Sequence, residues 1–106
     1  MFTIKTHDDA KSEILDLPAE LIGRTIKLIE KLEQFGQMQM PHSKSLGGGL
    51  FELRALERNN IARTIYVYQK EQTIFILHAF VKKTQKTPVG AMQIARIRLK
   101  EMIENE

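Results

Sequence analysis

From Ala19 to Phe35 the apolar residues Leu21, Ile22, Ile26, Leu28, Ile29, Leu32 and Phe35 recur at three- and four-residue steps. Glu20, Arg24, Lys27, Lys31 and Glu33 fall mostly between them, so the segment predicts an amphipathic helix, which Gly36 ends. Upstream, Phe2 to Thr6 alternates apolar and polar positions and suits a short strand. Asp8 or Asp9 can cap a first helix that runs to about Leu15, and Pro18 separates the two helices at the first turn of the second. Downstream the period changes from helical to twofold. Leu50–Leu56, Ile61–Tyr68 and Thr73–Phe80 read as strands joined by the polar connections ERNN and QKEQ, which predicts an antiparallel meander. Residues 37–49, QMQMPHSKSLGGG, read as a loop, and a last helix is expected from Thr87-Pro88 to about Ile103.

The element order is therefore β-α-α-β-β-β-α. This predicts an α+β domain spanning residues 1–106, with the helices against one sheet face and the other face partly open. A length of 106 residues with 42% hydrophobic and 27% charged composition fits one ordinary core.

The strand pattern also predicts a register. If the Glu57–Asn60 connection pairs Leu56 with Ile61, Arg54 lies opposite Arg63 on the same face. The same reasoning across Gln69–Gln72 pairs Tyr68 with Thr73 and sets His78 beside Arg63. Opposed like charges destabilise a sheet, so this arrangement suggests a polyanionic ligand. The alternative is that Arg54 pairs with Glu52 or Glu57. His78, in an apolar strand, reads first as a hydrogen-bonded, half-buried residue, and Tyr66 and Tyr68 as packing residues on the face away from Arg63. Phe80 reads either as core or as a stacking platform for a base.

Charge sharpens this picture. Residues 44–100 carry eleven Lys/Arg against three Asp/Glu, whereas residues 1–43 carry five against seven, so the net charge of +3 conceals one basic segment. Within it, FVKKTQKTP places Lys82, Lys83 and Lys86 between the last strand and the last helix, near a helix N-terminus that itself favours anions. The chain has no cysteine, and His7, His42 and His78 lack metal-ligand spacing, so no cofactor or metal is expected. No secretory signal or membrane-spanning run is visible, which leads to the expectation of a cytoplasmic protein without a membrane partner.

Three motifs in order, SLGGGLFELRAL, ARTIYVY and ILHAFVKKTQKTP, with the helix AMQIARIRL, resemble the RelE/HigB-like toxins of bacterial type II toxin-antitoxin modules. The similarity is greatest to their phage-derived branch and covers residues 44–99. The chain departs from the pattern at Gly90 and Ala91, where relatives often have polar, acidic residues, and it has no C-terminal Tyr or His of the kind found in some of them. The resemblance implies a small microbial-RNase-like fold that enters the ribosomal A site and cuts translated mRNA without a metal. It also implies neutralisation by a cognate antitoxin, often a helix-turn-helix, HigA-like protein, with operator DNA bound only through that antitoxin.

RNA cleavage of this kind needs a base for the 2′-OH, cations for the phosphorane and an acid for the 5′-oxygen. Neighbouring cations lower a lysine pKa, which makes Lys82 or Lys83 the candidate base. Arg54 and Arg63 suit phosphate clamping, because a guanidinium stays charged and binds phosphate bidentately. Lys44 and Lys86 are candidates for flanking phosphates, with Phe80 and His78 beside the substrate. Two other readings stay open: a ParE-like gyrase poison on the same fold, and a nucleic-acid-binding relative without catalysis.

Overall fold

The computed structural model describes residues 1–39, 41–81 and 88–106. Its elements are β1 (Thr3–Thr6), α1 (Asp8–Leu15), α2 (Ala19–Phe35), β2 (Ser43–Gly47), β3 (Leu50–Glu57), β4 (Asn60–Gln69), β5 (Thr73–Val81) and α3 (Val89–Glu104). The strands form one sheet in the order β1-β5-β4-β3-β2.

The α+β class and the β3-β4-β5 meander match the expectation, with two corrections to the sheet. Ser43–Gly47, expected to be loop, is an edge strand antiparallel to β3, and β1 pairs in parallel with β5, so the sheet is mixed. Parallel strands need a long crossover between them, and here everything from α1 to β4 supplies it. β2 ends at Gly47, and Gly47, Gly48 and Gly49, all at positive φ, turn the chain into β3. The Arg96 guanidinium lies over Gly48, where a Cβ would come within 2.7 Å of it.

The helix starts also differ in detail. His7, rather than an aspartate, caps α1: its Nδ1 accepts from the Asp9 N–H at 3.1 Å, and its Nε2–H donates to Glu101 of α3 at 2.7 Å. Pro18 and Pro88 occupy the cap positions of α2 and α3, one residue before the helices begin, while Thr87 lies outside the described residues. Gly36 ends α2 in the left-handed conformation, as its position predicts.

The sheet is covered on both faces, which corrects the expectation of one covered face. Ile74 and Ile76 of β5 pack with Leu53, Ala55, Ala62 and Tyr66 against Ile14, Leu21, Leu28 and Leu32 of α1 and α2. Phe75 and Leu77 point the other way, joining Leu50, Ile65 and Val67 under Ala91 and Ala95 of α3. A strand apolar at successive positions is buried on both sides, and TIFIL is such a strand. On the α1/α2 face, Tyr66 is buried and its hydroxyl shares a 2.7 Å hydrogen bond with Ser43 Oγ; burial pushes that hydroxyl well above its usual range against the opposing effect of Ser43. The Tyr68 hydroxyl donates to the Gly36 carbonyl at 2.7 Å, tying the sheet to the end of α2. Both tyrosines are packing residues, as expected. No helix among the described residues is long and apolar enough to cross a membrane.

Candidate active site

α3 covers only part of its sheet face. On the same face, two rows of side chains cross the strands. Arg54, Arg63 and Phe80 are direct cross-strand partners on β3, β4 and β5. The adjacent row is Lys44, Glu52, Ile65 and His78. Neighbouring strands lie about 4.8 Å apart, so each row brings its members into side-chain reach. The structure thus gathers Lys44, Arg54, Arg63, His78 and Phe80 on one face. Lys82, Lys83 and Lys86 lie outside the described residues.

The predicted pairing of Arg54 with Arg63 is present, because a two-residue turn at Arg58 and Asn59 carries the ladder without interruption from Glu57–Asn60 to Leu50–Val67. The predicted placement of His78 beside Arg63 is not. The β4–β5 turn has three residues, with Glu71 and Gln72 at positive φ, so Tyr68 pairs with Ile74 instead of Thr73. A β-bulge then adds one more step, and Ile65 faces His78 while Arg63 faces Phe80. The two shifts sum to an even number, which keeps His78 on the predicted face but one row away.

Glu52 changes the electrostatics. Its carboxylate is buried, 3.5 Å from Arg63 Nη1 and 3.6 Å from Arg54 Nε. The fold supplies its own anion between the opposed guanidiniums, so their juxtaposition does not by itself require a ligand. The alternative pairing of Arg54 with Glu52 is present, with the carboxylate in the interior instead of on a solvated face. One carboxylate between two guanidiniums still leaves the group net positive. Arg63 is 0% exposed, whereas the Arg54 side chain keeps 14% of its surface and Lys44 is exposed on β2. Of the two arginines, Arg54 is the one that solvent reaches.

His78 is held as its strand position predicts. Its Nδ1–H donates to Glu13 Oε1 at 2.9 Å, and its ring stacks on Phe80 with centroids 4.9 Å apart and planes at 28°. Phe80 is half-buried, with one side against the α3 core and the other on the site. Its packing role is thereby realised, and a ring surface remains for stacking. Arg98 of α3 donates from Nη1 and Nη2 to the two Glu13 oxygens at 2.7 and 2.9 Å. Burial alone raises the Glu13 carboxyl, but donation from Arg98, then from His78 and the Ala79 N–H, outweighs it and holds the group below its ordinary value of 4.5.

Around the β3 edge of the α2 face, a groove of about 300 Å³ has Leu28, Ala55 and Leu56 as its floor. Its rim carries Lys27, Lys31, His42 and Arg54, together with Arg24, which is already paired to Glu57 at 2.8 Å. Glu13, Arg98 and the α2 lysines carry no motif that marks them as site residues in the sequence. Glu52 was visible two positions before Arg54 on the same strand face.

Residues 12–100 match the family described as phage derived protein Gp49-like. The chain belongs to the Gp49-like family. This is a family of RelE/HigB toxin type, in agreement with the resemblance carried by the sequence motifs. Comparison with curated proteins finds no match. Among solved structures, the archaeal RelE-RelB complex from Pyrococcus horikoshii OT3 contains a chain similar at 20% identity and TM-score 0.58, covering 80% of this chain and 98% of that one. A double arginine-to-alanine variant of E. coli toxin RelE in the free state is similar at 13% identity and TM-score 0.61, covering 95% and 97%. At these identities the likeness establishes a RelE-like fold. The residues of the site carry the argument about chemistry.

Proposed function

We propose that this Gp49-like protein is the toxin of a type II toxin-antitoxin module and acts as a ribosome-dependent mRNA endonuclease. The observation that carries the reading is the row Arg54–Arg63–Phe80 beside Lys44, cationic and aromatic side chains on one face of a RelE-like sheet, of which Arg54, Phe80 and Lys44 reach the surface while Arg63 is buried beneath.

In this reading Arg54 contacts the scissile phosphate, and the buried Arg63 and Glu52 fix its direction. Phe80 offers a ring to a nucleobase, and Lys44 neutralises a flanking phosphate. Lys82 or Lys83 takes the proton of the 2′-OH, whose oxygen attacks phosphorus as the bond to the 5′-oxygen breaks and that oxygen gains a proton. The products are a cyclic phosphate and a free 5′-OH, with no change of oxidation state. Lys86 holds a further phosphate, and the groove on the β3 edge continues the basic surface from Arg54 toward Lys27 and Lys31. The partners are mRNA on the ribosome and a cognate antitoxin of helix-turn-helix type, through which operator DNA is reached; the cell compartment is the cytoplasm.

The test is a brief induction in a bacterial host, followed by mapping of RNA 5′ ends. Cuts within translated reading frames support the reading. Growth arrest with intact mRNA and linearised plasmid refutes it in favour of a gyrase poison, and RNA binding without cleavage refutes it in favour of a binding protein.

A further inference from the structure

The ladder between β4 and β5 has one irregularity, and it lies beside the site. Tyr66 pairs with Ile76 and Ile65 with His78, so Leu77 is an extra residue on β5. An extra residue unpairs backbone groups and reverses the alternation of faces beyond it. Without it, the pairing of Tyr66 with Ile76 would extend to Arg63 opposite Ala79, and His78 and Phe80 would point toward α1 and α2.

Backbone groups on either side of the bulge are taken by two side chains from distant elements. The Leu77 carbonyl accepts from Arg98 Nη1 at 3.0 Å, and the Ala79 N–H donates to Glu13 Oε1 at 3.1 Å. Those same two side chains bind each other bidentately, and Glu13 also accepts from His78. Glu13 and Arg98 are both largely shielded, with side-chain exposures of 27% and 14%. The ion pair thus supplies one donor and one acceptor, matched to one carbonyl and one N–H on either side of His78.

From this geometry we propose that Glu13 and Arg98 are positioning residues of the active site: they hold the β5 bulge that turns His78 and Phe80 onto the face of Arg54 and Arg63. Neither touches substrate. They act through the backbone of Leu77 and Ala79, and through the stacked rings of His78 and Phe80. The proposal rests on the ribonuclease reading only for its effect on cleavage, since the placement of the rings is a property of the free protein.

A charge-swap experiment separates this role from that of an ordinary salt bridge. The double variant Glu13→Arg/Arg98→Glu keeps opposite charges facing each other. It places an acceptor against the Leu77 carbonyl and a donor against the Ala79 N–H, so the bulge is not held. Glu13→Ala and Arg98→Lys complete the set, the lysine keeping charge but losing the planar fork. Proton NMR of the full chain reads the ring contact between His78 and Phe80 and the exchange protection of the Ala79 amide. Cleavage on programmed ribosomes reads kcat and KM.

The expected result is loss of ring contact and amide protection in Glu13→Ala and in the swap, with kcat down by about 100-fold and KM little changed. Arg98→Lys should fall between these and wild type. Restoration of both ring contact and kcat by the swap overturns the proposal, as does an unchanged ring contact in a folded Glu13→Ala. If Glu13→Ala does not fold, the swap and Arg98→Lys decide the matter by the same NMR readout. A wild-type protein that cleaves nothing refutes the ribonuclease reading, while the NMR comparison still decides the clamp.

Discussion

Substitution of Glu52 by leucine removes the carboxylate that lies 3.5 Å from Arg63 and 3.6 Å from Arg54 in the interior of the sheet face. Arg63 is 0% exposed, so water cannot readily replace the missing anion. Removing one partner of a buried ion pair typically costs about 3–5 kcal/mol, against a total stability of about 5–15 kcal/mol for a domain. In a chain of this size about 1 kcal/mol moves the melting temperature by at least about 4 °C, so Glu52→Leu should melt at least about 12 °C below wild type. Adding Arg63→Met replaces the fully buried pair by apolar side chains of similar bulk and should recover part of the deficit, because the desolvation cost of those two ions disappears together while Arg54, 14% exposed, is left to solvent. Thermal unfolding followed by far-ultraviolet circular dichroism measures all three proteins. The single variant within about 2 °C of wild type, or a double variant less stable than the single, refutes the assignment of Glu52 as the internal counter-ion.

Three further outcomes follow from the geometry. Glu13, held below 4.5 by Arg98 and its other donors, contributes stability that is fully present above that value and is lost as pH falls through its lower folded-state pKa. The melting-temperature gap between wild type and Glu13→Gln should therefore be widest near neutrality and close on acidification; a gap independent of pH contradicts the linkage. Gly36→Ala places a Cβ into the Phe2 ring at a left-handed position, and should cost more than the roughly 1 kcal/mol of backbone strain alone, measured by urea unfolding. Lys27→Ala/Lys31→Ala should lower the slope of log binding constant against log salt for single-stranded RNA by about 0.7 for each phosphate no longer neutralised. An unchanged slope removes the β3-edge groove from the RNA path.

What could be read from the sequence depended on how local the determining interaction was. The Arg54–Arg63 pairing was legible because two alternating strands joined by a short polar turn have few possible registers. The position of His78 was legible only as to face, since the three-residue turn with positive φ at Glu71 and Gln72 and the bulge at Leu77 each shift the ladder by one. Neither residue type at that turn is one that advertises a left-handed conformation. SKSLG was missed as a strand because an edge strand with one buried position, Ser43, and glycine at its end carries no apolar alternation. The second covered face was present in TIFIL, whose successive apolar residues already exclude a solvent-facing side. Glu13 and Arg98 lie 85 positions apart and reach the site through β5 backbone, a relation that no periodicity records.

The measurement that bears most directly on the central claim is the mapping of RNA 5′ ends after brief induction of wild type and of Arg54→Ala in a bacterial host. Arg54 is partly exposed, and in its absence Arg63 still faces the Glu52 carboxylate at 3.5 Å, so its removal should leave the fold intact. The account predicts new ends within translated reading frames for wild type and their absence for a folded Arg54→Ala. Equal cleavage by both proteins, or growth arrest by wild type with intact mRNA, would contradict it.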